Sequence, residues 1–248
     1  MESIEANGGR QAYNTQDLEA LHDLKNYQKW ILDYFRPYLR VSGIEFGAGM
    51  GGNSVKILPF FDTLDLVEPS PNLIETLHDR FDDNSAVSII DATLENHISA
   101  LPNEFRDSVI LINVLEHIEK DAETLCDIFR ILKPGGHLLL FVPALPQLFS
   151  EMDRVLCHFR RYYHKGLREL VENAGFTIVK SSYFDLLGIV PWFLVNTLGR
   201  QTTFNQSLAQ LYDSIGIPFT RTMENYISPP IGKNVILVAQ RPGNENDV

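Results

Sequence analysis

The chain predicts a doubly wound α/β fold: a mostly parallel seven-stranded sheet with helices on both faces, a helix ahead of the first strand, and a helical insert before the last. Three observations carry this prediction. Short apolar runs alternate with segments of helical period between residues 43 and 183. The strand runs are continuously apolar, as in Val109-Ile110-Leu111-Ile112, which is the pattern of parallel strands covered on both faces. The first strand breaks straight into Gly47-Ala48-Gly49-Met50-Gly51-Gly52, a turn that opens a helix.

The elements follow in order. Residues 1–14 are polar and expected to be frayed. From Thr15, a plausible N-cap followed by Asp17 and Glu19, the residues Leu18, Leu21, Leu24 and Ile31 share a helical face with Tyr27, Tyr34 and Phe35. Pro37 ends that helix. Strand one is expected at 43–47, a helix from Gly52 to about Leu58, and strand two at Thr63 to Glu68. Ser70 and Pro71 read as N-cap and first helical position. Strand three is expected at Ala86 to Asp91 and strand four at Ser108 to Asn113. Asp121 is expected to cap a helix that Lys133-Pro134-Gly135-Gly136 stops, and strand five at His137 to Val142. Residues 143–163 read as a long loop. A helix carrying Leu167, Leu170 and Val171 ends at Gly175. Strand six is expected at Phe176 to Tyr183, an insert at 184–228, and a last strand at Asn234 to Gln240. A single domain therefore spans 15–241, with 242–248 as a tail.

Composition narrows the function. The chain has 248 residues, 44% hydrophobic and 21% charged, which suits a soluble globular domain. A net charge of −11 disfavours nucleic acid and anionic membranes as partners. No run approaches the ~20 apolar residues of a membrane span, and the N-terminus lacks the apolar core of a signal peptide. Two cysteines, Cys126 and Cys157, suggest no disulfide framework and no metal spacing, so a reducing, cytoplasmic setting and no metal site are expected. Cys126 lies in a helical pattern and reads as a small core residue. The sequence leaves the oligomeric state open.

The glycine turn alone is ambiguous, because Gly47, Gly49 and Gly52 satisfy the dinucleotide fingerprint. Glu45 separates the readings. A carboxylate at the end of a central strand is costly unless a cation meets it. A dinucleotide brings pyrophosphate, which Glu45 repels; S-adenosyl-L-methionine brings an ammonium and a sulfonium, which it attracts. The carboxyl ends of the strands, where ligands bind in such sheets, carry Glu45, Glu68, Asp91 and Asn113.

With these motifs in this order, the chain resembles the class I S-adenosylmethionine-dependent methyltransferases, which are Rossmann-like, over roughly residues 26–183. Glu45-Phe46-Gly47-Ala48-Gly49-Met50-Gly51 looks like the first motif of that family, and Val67-Glu68-Pro69 like the acidic end of strand two. Asp91-Ala92-Thr93 looks like the adenine-contacting end of strand three. Asn113-Val114-Leu115-Glu116-His117-Ile118 and Leu132-Lys133-Pro134-Gly135-Gly136 match two later motifs. The resemblance implies S-adenosyl-L-methionine as cofactor, with S-adenosyl-L-homocysteine as product. It implies that Glu45 meets the methionine ammonium, that Gly47, Gly49 and Gly51 lie against the methionine part, and that Glu68 with Pro69 meets the ribose. Asp91 and Ala92 would meet adenine, Asn113 the methionine end, and Tyr27 the cofactor carboxylate.

Methyl transfer is an in-line displacement that mainly needs alignment and exclusion of water. A hydroxyl acceptor also needs a base. His158 is the candidate, either for that role or as an anchor for its loop. Asp153 either orients His158 or is a turn residue. Arg160 and Arg161 offer planar forks to an anionic substrate, or pair with acids to hold the loop. Tyr162 and Trp192 read as pocket walls or core aromatics, as do Phe184 and Phe193. His117 reads as structural or cofactor-shaping. The expected function is methyl transfer to an oxygen, hydroxyl or carboxylate, of a small or medium-sized metabolite. The alternative is a non-catalytic cofactor-binding or scaffold protein on the same fold.

Overall fold

A computed structural model describes residues 24–203 and 205–243. The expected start of the first helix at Thr15, the frayed 1–14 segment and most of the tail lie outside the described residues. The sheet has seven strands in the order β3-β2-β1-β4-β5-β7-β6. Its strands are β1 (Ser42–Phe46), β2 (Thr63–Glu68), β3 (Val87–Asp91), β4 (Arg106–Ile112), β5 (Leu132–Pro143), β6 (Thr177–Phe184) and β7 (Asn234–Gln240). The first five are parallel, and β7 lies antiparallel between β5 and β6. The chain reverses its winding between β1 and β4, so their carboxyl ends flank the crevice where such sheets take ligands.

Side chains alternate across the sheet and build two cores. Leu138, Leu140 and Val142 of β5 join Ile44, Phe46, Val109 and Leu111 on one face. Over them lie α4 (Leu94–Ala100), α5 (Asp121–Ile131) and α7 (His164–Asn173), through Ile98, Leu125, Ile128, Leu167 and Val171. Leu139 and Phe141 join Leu64, Leu66, Ile110 and Ile236 on the other face. That face is covered by α1 (Lys25–Phe35) and α3 (Pro71–Phe81), with α2 (Ser54–Ile57) contributing Ile57. Between β5 and α7 stands α6 (Glu151–Val155). The insert forms α8 (Ile189–Trp192), α9 (Gln206–Leu211) and α10 (Ile217–Glu224), with π-helical turns at Phe193–Leu198 and Tyr212–Gly216.

Several expectations need correction. Strand five starts at Leu132, not His137: the Pro134-Gly135-Gly136 segment does not separate helix from strand but is the irregular start of β5, where the register to β4 shifts. Asp121 is the first residue of α5, with Lys120 at the N-cap; its Oδ1 accepts the Ala122 N–H at 2.9 Å. Cys126 is exposed, because the inward face of α5 is set by Leu125, Ile128 and Ile131 and position 126 is turned about 100° from it. The loop 143–163 contains α6, opened by a capping box between Ser150 and Asp153. The α2 helix begins at Ser54 rather than Gly52.

Candidate active site

The glycine turn leaves β1 with three left-handed residues, Gly47 (φ +69°), Gly49 (φ +57°) and Gly51 (φ +76°). Each residue needs glycine for this backbone, but the space beside each differs. A Cβ on Gly47 would strike Val114, and one on Gly51 would strike Phe81 and Leu77. A Cβ on Gly49 would point into open space, with nothing within 4 Å. Gly49 is therefore where the backbone is bared toward a ligand.

Two buried carboxylates flank this turn. Glu45 is 2% exposed, and Ser54 donates its hydroxyl to Oε2 at 2.5 Å. Burial pushes its carboxyl up to about 7, against the Ser54 hydrogen bond and with help from the Glu68 charge. Glu68, at the end of β2, accepts the Gly49 N–H at 2.9 Å on Oε2 and the Ser70 N–H at 3.0 Å on Oε1. Burial raises its pKa, and these hydrogen bonds oppose the rise. Asp91 ends β3 in register with Glu68, and both Asp91 and Asn113 are exposed at the strand ends. Pro69 and Ala92, each directly after an acid, are half-buried. Asn113 turns the chain out of β4 at φ +54°, anchored by its N–H to Phe141 O at 2.8 Å. The structure thus brings Glu45, Gly47, Gly49, Gly51, Glu68, Pro69, Asp91, Ala92 and Asn113 to one end of four adjacent strands.

Tyr27 stands differently. Its ring is buried among Trp30, Phe141 and Phe184, and its hydroxyl donates to Asn234 Oδ1 at 2.8 Å. Its contacts run to the β5–β7 side and to Asp213 of the insert, whose Oδ1 accepts the Tyr27 N–H at 2.8 Å.

The loop after β5 is organised by Asp153, which is fully buried. It accepts from Arg161 Nε at 2.8 Å and Nη2 at 3.1 Å, from Ser150 N–H at 2.8 Å and Oγ at 2.9 Å, and meets His158 Nδ1 at 3.0 Å. Burial works to raise its pKa, but His158 and Arg161 outweigh it and hold it below the usual carboxylate value. Arg161 also donates to Ala144 O at 3.2 Å and stacks at 4.6 Å on the Trp192 ring. Trp192 in turn donates to Leu148 O at 3.2 Å, tying the insert to this loop. Arg160 pairs with Asp121 at 3.0 Å and donates to Glu119 O at 2.7 Å. The Tyr162 hydroxyl sits 2.9 Å from Asp121 Oδ2. Asp153, Arg161 and Tyr162 are thus spent inside the protein, while Arg160 and Trp192 keep exposed surface. Phe184 belongs to the core, stacked at 3.8 Å on Trp30, and Phe193 is exposed.

The residue missed by sequence reasoning is Glu116. It is wholly buried beneath this loop, and neither carboxylate oxygen has a hydrogen-bond partner among the described residues. Burial pushes its carboxyl up to about 8, with its own backbone and the Arg161 charge opposing. His158 Nε2 stands 4.0 Å from Glu116 Oε1, and the His158 ring meets His117 edge to face at 4.6 Å. The adjacent pair Glu116-His117 after a strand was visible in the sequence; its burial was not.

A mostly parallel, doubly wound sheet in this strand order, with a glycine turn after its first strand, defines the Rossmann-like class of fold. Residues 12–181 match the model of the methyltransferase domain, so the chain belongs to that family, whose cofactor is S-adenosylmethionine. A protein of Mycolicibacterium smegmatis, named a probable S-adenosylmethionine-dependent methyltransferase, is 34% identical over 80 residues, 32% of this chain and 31% of that one. The trichosetin synthetase of Gibberella fujikuroi is 33% identical over 111 residues, 42% of this chain and 3% of the synthetase. The chain therefore spans a third or less of these relatives. Among solved structures, an S-adenosylmethionine-dependent methyltransferase from Mesorhizobium loti superposes with a TM-score of 0.61 at 14% identity, covering 88% of this chain and all of that one. The methyltransferase solved with the Haloferax volcanii Trm112 activator gives 0.64 at 15% identity, covering 94% and 100%. Among the described residues no helix is long and apolar enough to cross a membrane.

The residues present fit the cofactor. The open Cβ position at Gly49 leaves room for a ligand against the backbone, and Glu45 carries more buried negative charge than its one hydroxyl partner answers.

Proposed function

We propose that this chain transfers a methyl group from S-adenosyl-L-methionine to an oxygen of a small or medium-sized metabolite. The observation that carries the reading is the pair of buried carboxylates, Glu45 and Glu68, on either side of the Gly49 opening. Bound there, the cofactor supplies an electrophilic methyl on a sulfonium. Glu45 holds the ammonium of the methionine part. Glu68 accepts from the ribose hydroxyls, Asp91 and Ala92 face the adenine, and Asn113 lies toward the methionine end. The acceptor lies over the carboxyl ends of β4 and β5, beside His158. Asp153 fixes the His158 ring through Nδ1 and leaves Nε2 to take a proton from an acceptor hydroxyl. Arg160 and Trp192 form the exposed wall toward the acceptor; Asp153, Arg161 and Tyr162 position that wall. The similarity to the trichosetin synthetase of Gibberella fujikuroi supports a biosynthetic metabolite.

Calorimetry with S-adenosyl-L-homocysteine, followed by transfer of labelled methyl to a panel of hydroxyl and carboxylate acceptors, tests the reading. Binding with transfer to an oxygen is expected. Binding without transfer to any acceptor would favour a scaffold role, and no binding would remove the cofactor assignment.

A further inference from the structure

Three ligand-type side chains converge beneath the loop after β5 in a way the methyltransferase reading does not require. Glu116 and His117 sit on the single turn Leu115–His117 that follows β4, and His158 follows α6. One donor atom from each lies within 4.8 Å of the others. Glu116 is wholly buried with both oxygens lacking a hydrogen-bond partner among the described residues. A buried carboxylate so placed is costly unless a cation completes it.

We infer that Glu116, His117 and His158 form a binding site for a first-row divalent cation of the zinc, cobalt or manganese type. Two imidazoles and one carboxylate are a donor set these ions take with positions left open, whereas magnesium and calcium prefer all-oxygen shells. The surroundings match what holds such ligands in place. Asp153 meets His158 Nδ1 at 3.0 Å, which fixes the ring and leaves Nε2 toward Glu116. The backbone of Cys157 and Leu156 hydrogen-bonds to His117. Donor atoms around such an ion stand roughly 3–3.5 Å apart, so the cluster closes by on the order of 1 Å on binding.

The role of the ion rests on the proposed methyl transfer. Glu116, His117 and His158 would hold an ion that acts as a Lewis acid on an acceptor oxygen reaching an open coordination position, and the proton of that oxygen would leave to water. The new C–O bond forms as the C–S bond breaks, its electron pair going to sulfur. In the metal-bound protein His158 Nε2 is a ligand; the base role proposed above is the reading that full activity of the metal-stripped protein would restore.

The test uses untagged full-length protein, stripped with chelator and titrated with Zn²⁺ and Co²⁺ in turn. One equivalent per chain is expected, with visible absorption from bound Co²⁺. Glu116→Gln, His117→Gln and His158→Gln should each weaken binding at least 10–100-fold, and Asp153→Asn should weaken it about as much as an outer partner does. His78→Ala, at an exposed histidine paired with Asp82, should change nothing. Glu116→Gln is isosteric and introduces no charge, so a folded variant is expected; circular dichroism confirms it. No stoichiometric uptake, or uptake that survives all three ligand substitutions, overturns the site. The two readings fail separately. Loss of S-adenosyl-L-homocysteine binding would sink the methyltransferase reading whatever the cation does. Full methyl transfer by the metal-stripped protein would sink the role of the ion alone.

Discussion

The Glu68 carboxylate, at the end of β2, reaches the turn that leaves the neighbouring β1 and accepts the Gly49 N–H at 2.9 Å. The residue proposed for the ribose therefore also fastens the turn proposed for the methionine part. Glu68→Ala should weaken S-adenosyl-L-homocysteine binding by about 1.5–3 kcal/mol, on the order of 10–100-fold. It should also lower the thermal midpoint, because two backbone N–H groups lose their acceptor. Calorimetry and a melting curve on one preparation check both; unchanged affinity removes Glu68 from the site.

Gly49 and Gly51 should separate binding from folding. Both have positive φ, so any side chain carries about 1–2 kcal/mol of backbone strain. Gly49→Val projects into open space and should abolish cofactor binding while the protein still folds. Gly51→Ala meets Phe81 at 2.6 Å and should cost a further 1–3 kcal/mol or so of stability. Denaturant unfolding beside calorimetry distinguishes them. Normal binding by Gly49→Val would show that the cofactor does not lie on this turn.

Glu45 predicts a pH dependence with a definite sign. Its folded value of about 7 lies above the reference of 4.5. Stability from this group is complete below about 4.5 and is lost as pH rises toward about 7, since only the unfolded chain ionises freely there. Cofactor affinity runs the other way. The ionised form attracts the ammonium, so affinity should climb as pH rises through about 7. Glu45→Gln should flatten both profiles, as melting curves and titrations across this range would show. An unaltered slope in the variant would assign the dependence elsewhere.

Asp153 and Arg160 predict opposite scales of damage in one loop. Asp153→Ala strands the buried Arg161 guanidinium and should cost about 3–5 kcal/mol. Arg160→Ala breaks a pair with a side chain 35% exposed and should cost under about 1 kcal/mol. Urea unfolding reads the difference. Equal losses would mean that Asp153 does not carry the loop.

His158→Ala should lower kcat by ~10²–10⁴-fold on a hydroxyl acceptor, with S-adenosyl-L-homocysteine affinity nearly unchanged. Steady-state kinetics with the true acceptor decide it. Wild-type kcat and KM would move the search for the acceptor pocket to the insert.

The legible parts of this fold were those where local pattern and burial agree. β2 and β7 begin and end where the sequence predicts, because each is an apolar run bounded by turn residues. β5 was read short because Gly135-Gly136 signals a break, yet the sheet draws them into its irregular first pairing. The α6 helix carried its own signal, Ser150 three residues before Asp153, hidden by the surrounding loop composition. The polar end of the sheet was legible because Glu45, Glu68, Asp91 and Asn113 stand at four strand ends. Glu116 was not, since sequence alone does not tell a solvated turn carboxylate from one sealed under a loop.

The insert leaves β6 at Phe184 and returns at Asn234, and these two residues are paired neighbours in the sheet. Its entry and exit are thus clamped together by the sheet itself, whatever lies between. Bringing the two ends together carries a loop-closure cost in chain entropy, which the sheet pairing meets and which grows only slowly as the excursion lengthens. The connection between β6 and β7 can therefore change in length without moving the sheet, provided that what replaces it meets Tyr27 and the loop after β5 as Asp213 and Trp192 do. On the proposed function, such an exchange is a route to a new acceptor that leaves the strands at the other side of the sheet as they are.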